Sequence, residues 1–259
     1  MQLTGFNDNV APCPTDAKFD VLRFNTSFAL DTRNKALLPD RGTLHRVRVE
    51  VTTPPGDLEL YKISYDATWF YPLSEYFTLA LQGEVGYGDS YGGTTEDLPF
   101  FESFYAGGPR SVRGYKENTL GLKDFNGRAT GGRLKTIANA EVLFPVPFAT
   151  EIKSVRLSTF VDAGNVYGPG CRVWSTEKTD PITGAPVCLE EDNGGFDAGD
   201  LRLSAGLSGI WMSPFGVLSV SVAYPLNDKP SCGDQPDPTR RNSVCDETQF
   251  FQFTFGTSF

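Results

Sequence analysis

The chain has 259 residues, 23 Lys plus Arg against 32 Asp plus Glu, and a formal net charge of -9. That balance, with no basic cluster to offset it, argues against nucleic acid as a partner. The single histidine, His45, leaves no H-E-x-x-H pattern, so histidine-based metal or acid–base chemistry has no support and His45 reads as a strand-end residue.

The opening stretch, MQLTGFNDNV, has neither the basic nor the apolar region of a signal peptide. No run approaches the ~18 apolar residues of a transmembrane helix. Mean hydropathy is -0.26, but transmembrane β-strands escape hydropathy because half their residues face a polar lumen. In chain order, period-2 alternation predicts strands over 20–32, 44–53, 58–72 and 76–88. A long non-periodic loop, 89–132, follows. Further strands are predicted over 133–147, 154–168, 201–214, 216–227 and 249–259, with long connections at 169–200 and 228–248.

In each segment one parity is apolar and the other polar. Leu134, Ala138, Ala140, Val142 and Phe144 oppose Arg133, Lys135, Asn139 and Glu141. Val155, Leu157, Val161 and Ala163 oppose Arg156, Ser158, Phe160 and Asp162. The last segment sets Phe251, Phe253, Phe255 and Phe259 against Gln252, Thr254 and Ser258. A soluble sandwich also alternates, but here the polar parity is rich in charge (Arg23, Arg48, Glu50, Lys62, Asp66, Glu84, Arg202), as a wet lumen requires. Aromatics cluster near strand ends on the other parity, including Tyr61, Trp69, Tyr71, Trp211 and Tyr224.

Short turns (PLSEY, PFATEIK, SPFG) alternate with the long loops. The pattern predicts an all-β, antiparallel transmembrane β-barrel with its long loops outside. A closed bacterial barrel has an even number of strands, so nine strands predict the C-terminal portion of a larger barrel spanning 1–259. Two edges would then stay unpaired, and the chain alone is expected to self-associate through them.

Five cysteines, none in C-x-x-C, lie in the predicted outer loops. Proximity suggests two disulfides, Cys171 with Cys188 and Cys232 with Cys245, in an oxidising compartment. Cys13 is left over. The Gly-rich GYGDSYGG at 86–93 lacks the Lys-Ser/Thr ending of a phosphate cradle. Ser111 has no histidine base nearby, so no nucleophile–base pair supports an enzyme, and nothing calls for a cofactor or metal.

Several stretches, in order, carry a family resemblance: FYAGGPRSVRGY at 104–115, AEVLFPVPF at 140–148, FVDAGNVY at 160–167, WMSPFGVLSVSVAYPL at 211–226 and the terminal FQFTFGTSF. Together they resemble the BamA family of outer-membrane β-barrel assembly insertases. The resemblance implies about nine strands of a 16-stranded barrel in the bacterial outer membrane. The first barrel strands and the periplasmic POTRA domains of that family have no counterpart in these residues, so insertase activity would belong to a longer parent.

The resemblance further implies that the 89–132 loop folds into the lumen, with Val112, Arg113, Gly114 and Tyr115 as its latch. The arginine would meet acidic residues of the inner wall. Parity had already put Glu141 and Asp162 on that face, with Phe160 beside them. Gly256 and Phe259 would belong to a lateral gate between the first and last strands. Implied partners are nascent outer-membrane β-barrel proteins, the lipid bilayer, and assembly lipoproteins reached through the POTRA domains. A two-partner secretion pore exporting a polypeptide and a passive outer-membrane channel are the alternatives.

Overall fold

The computed structural model describes residues 19–92, 98–147, 154–180, 186–229, 240–242 and 245–256. Nine strands form one continuous antiparallel sheet: β1 (Leu22–Asp31), β2 (Gly42–Thr53), β3 (Leu60–Pro72), β4 (Thr78–Ser90), β5 (Leu134–Pro145), β6 (Val155–Tyr167), β9 (Arg202–Ser213), β10 (Gly216–Pro225) and β12 (Phe251–Gly256). Each pairs with the next in that order, and β1 and β12 are its open edges. All nine coincide with the alternating segments of the sequence. β1 and β10 have 10 residues and β3, β4 and β6 have 13, enough for a tilted strand to cross a bilayer, which takes about 9–11.

The cross-strand register keeps the parities apart. Glu141 lies opposite Phe160, Asn139 opposite Asp162, and Asp162 opposite Ser204, so these polar positions share one face. On the other face Phe28, Ile63, Val85, Leu207, Trp211, Tyr224, Phe251, Phe253 and Phe255 are exposed. An apolar surface of this extent facing water would be strongly unfavourable, whereas hydrocarbon accepts it.

The connections correct one expectation. Residues 169–200 are not simply a loop. They hold β7 (Pro169–Thr179), β8 (Pro186–Asn193) and a 3-10 turn, Ala198–Asp200. With β11 (Arg240–Asn242) these strands make a second sheet, ordered β11-β7-β8. The β7–β8 register shifts repeatedly, which breaks the alternation that would have announced the strands. The Cys171–Cys188 disulfide ties this hairpin, with Cα atoms 5.7 Å apart. Cys245 is disulfide-bonded as well, while Cys13 and Cys232 lie outside the described residues, as does Phe259.

The buried core lies between the loop from β4 to β5 and the polar face of the sheet. Ala106, Val112, Tyr115 and Leu120 of the loop pack on Ile137 of β5 and Val166 of β6, with Phe104 alongside. The inner face, which carries the charges, is thus covered by a folded piece of the same chain.

Candidate functional site: a loop docked on the inner wall

The loop makes its own frame before it meets the sheet. Gly107 and Gly108 have φ of 105° and 93°, a left-handed region that suits residues without a Cβ. Their turn is closed by the Gly107 N–H donating to Ser111 Oγ at 2.9 Å and the Gly108 N–H donating to the Tyr115 carbonyl at 3.0 Å. Ser111 is therefore a turn-closing hydroxyl. Its carbonyl accepts from Asn139 Nδ2 on β5 at 2.7 Å, which lays this turn on the wall.

Arg113 points into that wall. Its Nε and Nη2 donate to the two carboxylate oxygens of Asp162 at 2.7 and 2.8 Å, and its backbone N–H donates to the same group at 3.0 Å. Nη1 reaches Glu141 Oε2 at 3.3 Å, and the Ser158 hydroxyl donates to the other oxygen of Glu141. The guanidinium carbon stands 3.4 Å from the centre of the Phe160 ring. The Asp162 side chain is 0% exposed and that of Arg113 11%. A buried carboxylate with a bidentate partner and a third donor is stable, while the same group left alone would not be. The structure thus brings together Arg113, Glu141, Phe160 and Asp162, all four named from the sequence.

The neighbouring residues reach other strands. Gly114, at φ 89°, passes so close to the wall that a Cβ there would stand 3.2 Å from Ala223 Cβ and 3.4 Å from Ser204 Cβ. Its N–H donates to Gln252 Oε1 on β12 at 3.3 Å, and Gln252 Nε2 donates back to the Tyr115 carbonyl at 2.7 Å. Two main-chain bonds, from the Gln249 N–H to the Gly114 carbonyl and from the Lys116 N–H to the Glu247 carbonyl, extend the grip at 2.8 Å each. Tyr115 is fully buried, and its hydroxyl donates to the Leu203 carbonyl at 3.1 Å. Val112 fills the core beneath. The four residues of the motif therefore link the wall at β5 and β6 to the edge strand β12. Gly256 keeps a ladder partner, Val217, at the end of the described part of that strand.

A cap of ion pairs, not foreseen from the sequence, joins the outer loops. Arg202 and Asp246, both 2% exposed, meet at 2.6 Å. Asp200 accepts from Lys229 and Arg172 at 2.5 Å each, and Arg172 also meets Asp192 at 2.6 Å. Burial pushes the Asp200 carboxyl up, but those two cations outweigh it and hold it below the ordinary carboxylate range. Glu247 is held low by its bonds to Lys116 and Lys123. These partners are separated in sequence by up to 131 residues, so no local pattern announces them.

The sequence matches the Omp85 superfamily domain over residues 6–259. The chain belongs to the Omp85 superfamily. Among curated members it is 41% identical over 238 residues, 88% of this chain, to the outer membrane protein assembly factor BamA of Neisseria meningitidis serogroup B. It is 26% identical over 171 residues, 64% of this chain, to a SAM50-like protein of Schizosaccharomyces pombe. Among solved structures, that of BamA from Haemophilus ducreyi lacking POTRA domains 1–3 superimposes with a TM-score of 0.66 at 26% identity, covering 89% of this chain. The chain spans 28%, 36% and 41% of these three relatives respectively. In this Omp85 chain, Arg113 grips the wall at Glu141, Phe160 and Asp162.

Proposed function

We infer that this chain is the C-terminal part of a larger outer-membrane barrel that folds β-barrel proteins and inserts them into the bacterial outer membrane. The observation that carries the reading is the loop docked across the inner face, whose Arg113 anchor and Gln252 contact join the wall to the edge strand β12. Similarity to assembly factors over most of the chain supports it. The work is done without covalent chemistry. An edge strand offers unpaired N–H and C=O groups to a nascent strand, which pairs by β-augmentation while the apolar face stays in lipid. The loop acts as a latch that keeps the wall in shape while the edge is open. Nascent outer-membrane proteins and the bilayer are the direct partners, and assembly lipoproteins would be met through POTRA domains of the parent.

A passive channel fits less well, because the loop covers the inner face on which permeant solutes would run. A pore exporting one polypeptide would use the same wall but release its client to the outside. The test is full-length protein in liposomes presented with a urea-unfolded outer-membrane barrel. Folded, heat-modifiable client should accumulate faster than in empty liposomes. Steady conductance without client folding, or client released outside the vesicle, would overturn the reading.

A further inference from the structure

The loop carries a second charged anchor outside the motif around Arg113. Glu102, 8% exposed, accepts from Arg23 on β1 and from Lys62 Nζ on β3, the latter at 2.9 Å. Lys62 also donates to the Glu102 carbonyl at 3.2 Å and stands 5.9 Å from the centre of the Phe104 ring. Glu50 on β2 completes the cluster, 3.0 Å from Arg23 and 3.6 Å from Lys62. Without Glu102, two cations of the wall would share one carboxylate.

The two anchors have opposite polarity. The loop is negative at Glu102 and the wall beneath it carries Arg23 and Lys62. The loop is positive at Arg113 and the wall beneath it carries Asp162 and Glu141. A loop laid the other way would set like charge on like, so the pattern selects one direction across the sheet. Between the anchors, Phe104, Ala106 and Val112 pack into the core beneath the loop. Past Arg113 the chain runs straight into the contacts with Gln249 and Gln252 at the β12 edge.

We propose that Glu102 is a positioning residue, the far end of a tie that runs from β1–β3 under the loop to β12 and fixes where the edge strand stands. This deepens the assembly reading and rests on it only for its use: the strand offered to a client is set by a contact on the opposite side of the sheet. A purely local role would instead confine the effect of Glu102 to the loop around it.

Hydrogen exchange on the full-length protein in nanodiscs separates the two. In Glu102→Gln, amides of 102–106 should exchange faster, and those of 249–256 should also accelerate, about tenfold. Glu102→Asp should restore most of that protection. Lys62→Met, which leaves Glu102 its bond from Arg23, should accelerate both segments by a smaller factor and keeps the test open if Glu102→Gln fails to fold. Unchanged exchange at 249–256 in Glu102→Gln, or in Lys62→Met should Glu102→Gln not fold, would overturn the proposal. Client folding measured on the unsubstituted protein reports separately on the assembly reading, so failure of one is not failure of the other.

Discussion

Replacing Arg113 by alanine removes the most heavily bonded contact between loop and wall. The guanidinium makes two bonds to Asp162 at 2.7 and 2.8 Å, one to Glu141 at 3.3 Å, and stacks 3.4 Å from Phe160. After substitution Asp162, 0% exposed, keeps only the backbone N–H at 3.0 Å. Stranding a buried charge in this way costs about 3–5 kcal/mol. Glu141 is 18% exposed and can be rehydrated, so its share is small, about 0–1 kcal/mol. The docked-to-undocked ratio of the loop should then fall by about 10²–10⁴, at 1.4 kcal/mol per decade. Hydrogen exchange of amides 111–116 in the full-length protein reads that ratio directly. A double-mutant cycle with Asp162→Asn should return a coupling of about 2–3 kcal/mol. Arg113→Lys should fall between, since an ammonium loses the two-pronged geometry and the ring stacking. A coupling below about 0.5 kcal/mol would refute the reasoning, because additivity of that order is what independent sites give.

Gly114→Ala should loosen the same loop, since the new Cβ would combine a φ of 89° with a 3.2 Å approach to Ala223; the strain alone is about 1–2 kcal/mol, read as faster proteolysis of the loop. The outer cap should loosen in acid. Asp200 and Glu247 are both held low, so the stability they add is complete above their unfolded values, about 4, and is lost as the pH falls below them. Fluorescence of Trp174, with Trp69 and Trp211 replaced by Phe, should be flat from neutrality down to about pH 5 and change below about 4; loosening on raising the pH would contradict the sign. The 259-residue chain alone, with β1 and β12 unpaired at its edges, should associate in detergent, and a monodisperse, heat-modifiable monomer in light scattering would show that the edges close on themselves.

The nine strands of the wall were legible because membrane and lumen impose opposite demands on successive residues. Alternation such as Leu157-Ser158-Thr159-Phe160-Val161-Asp162 survives even where Phe160 breaks the polar rule, and Phe160 does so because it stacks on Arg113. The same parity placed Glu141 and Asp162 together on adjacent strands, so the wall half of the anchor could be read from residues alone. The loop half could not, since nothing periodic connects residue 113 to residue 162; the family resemblance supplied it. Strands β7 and β8 were missed because they belong to a separate small sheet, and their irregular register removes the alternation. Glu102 and the Arg202–Asp246 pair were missed for another reason. Their partners are distant in sequence, and a single charged residue in a loop looks the same whether it is solvated or buried.

The central claim is that β12 belongs to an edge that receives client strands while the loop holds the wall behind it. Photo-crosslinking from Phe253 of β12, which faces away from the loop, tests this most directly in full-length protein caught during client folding. The account predicts adducts between Phe253 and a strand of the nascent barrel, and none from Leu157, which is paired within the wall between β5 and β9. Equal adducts at both positions, or adducts from Leu157 alone, would contradict it.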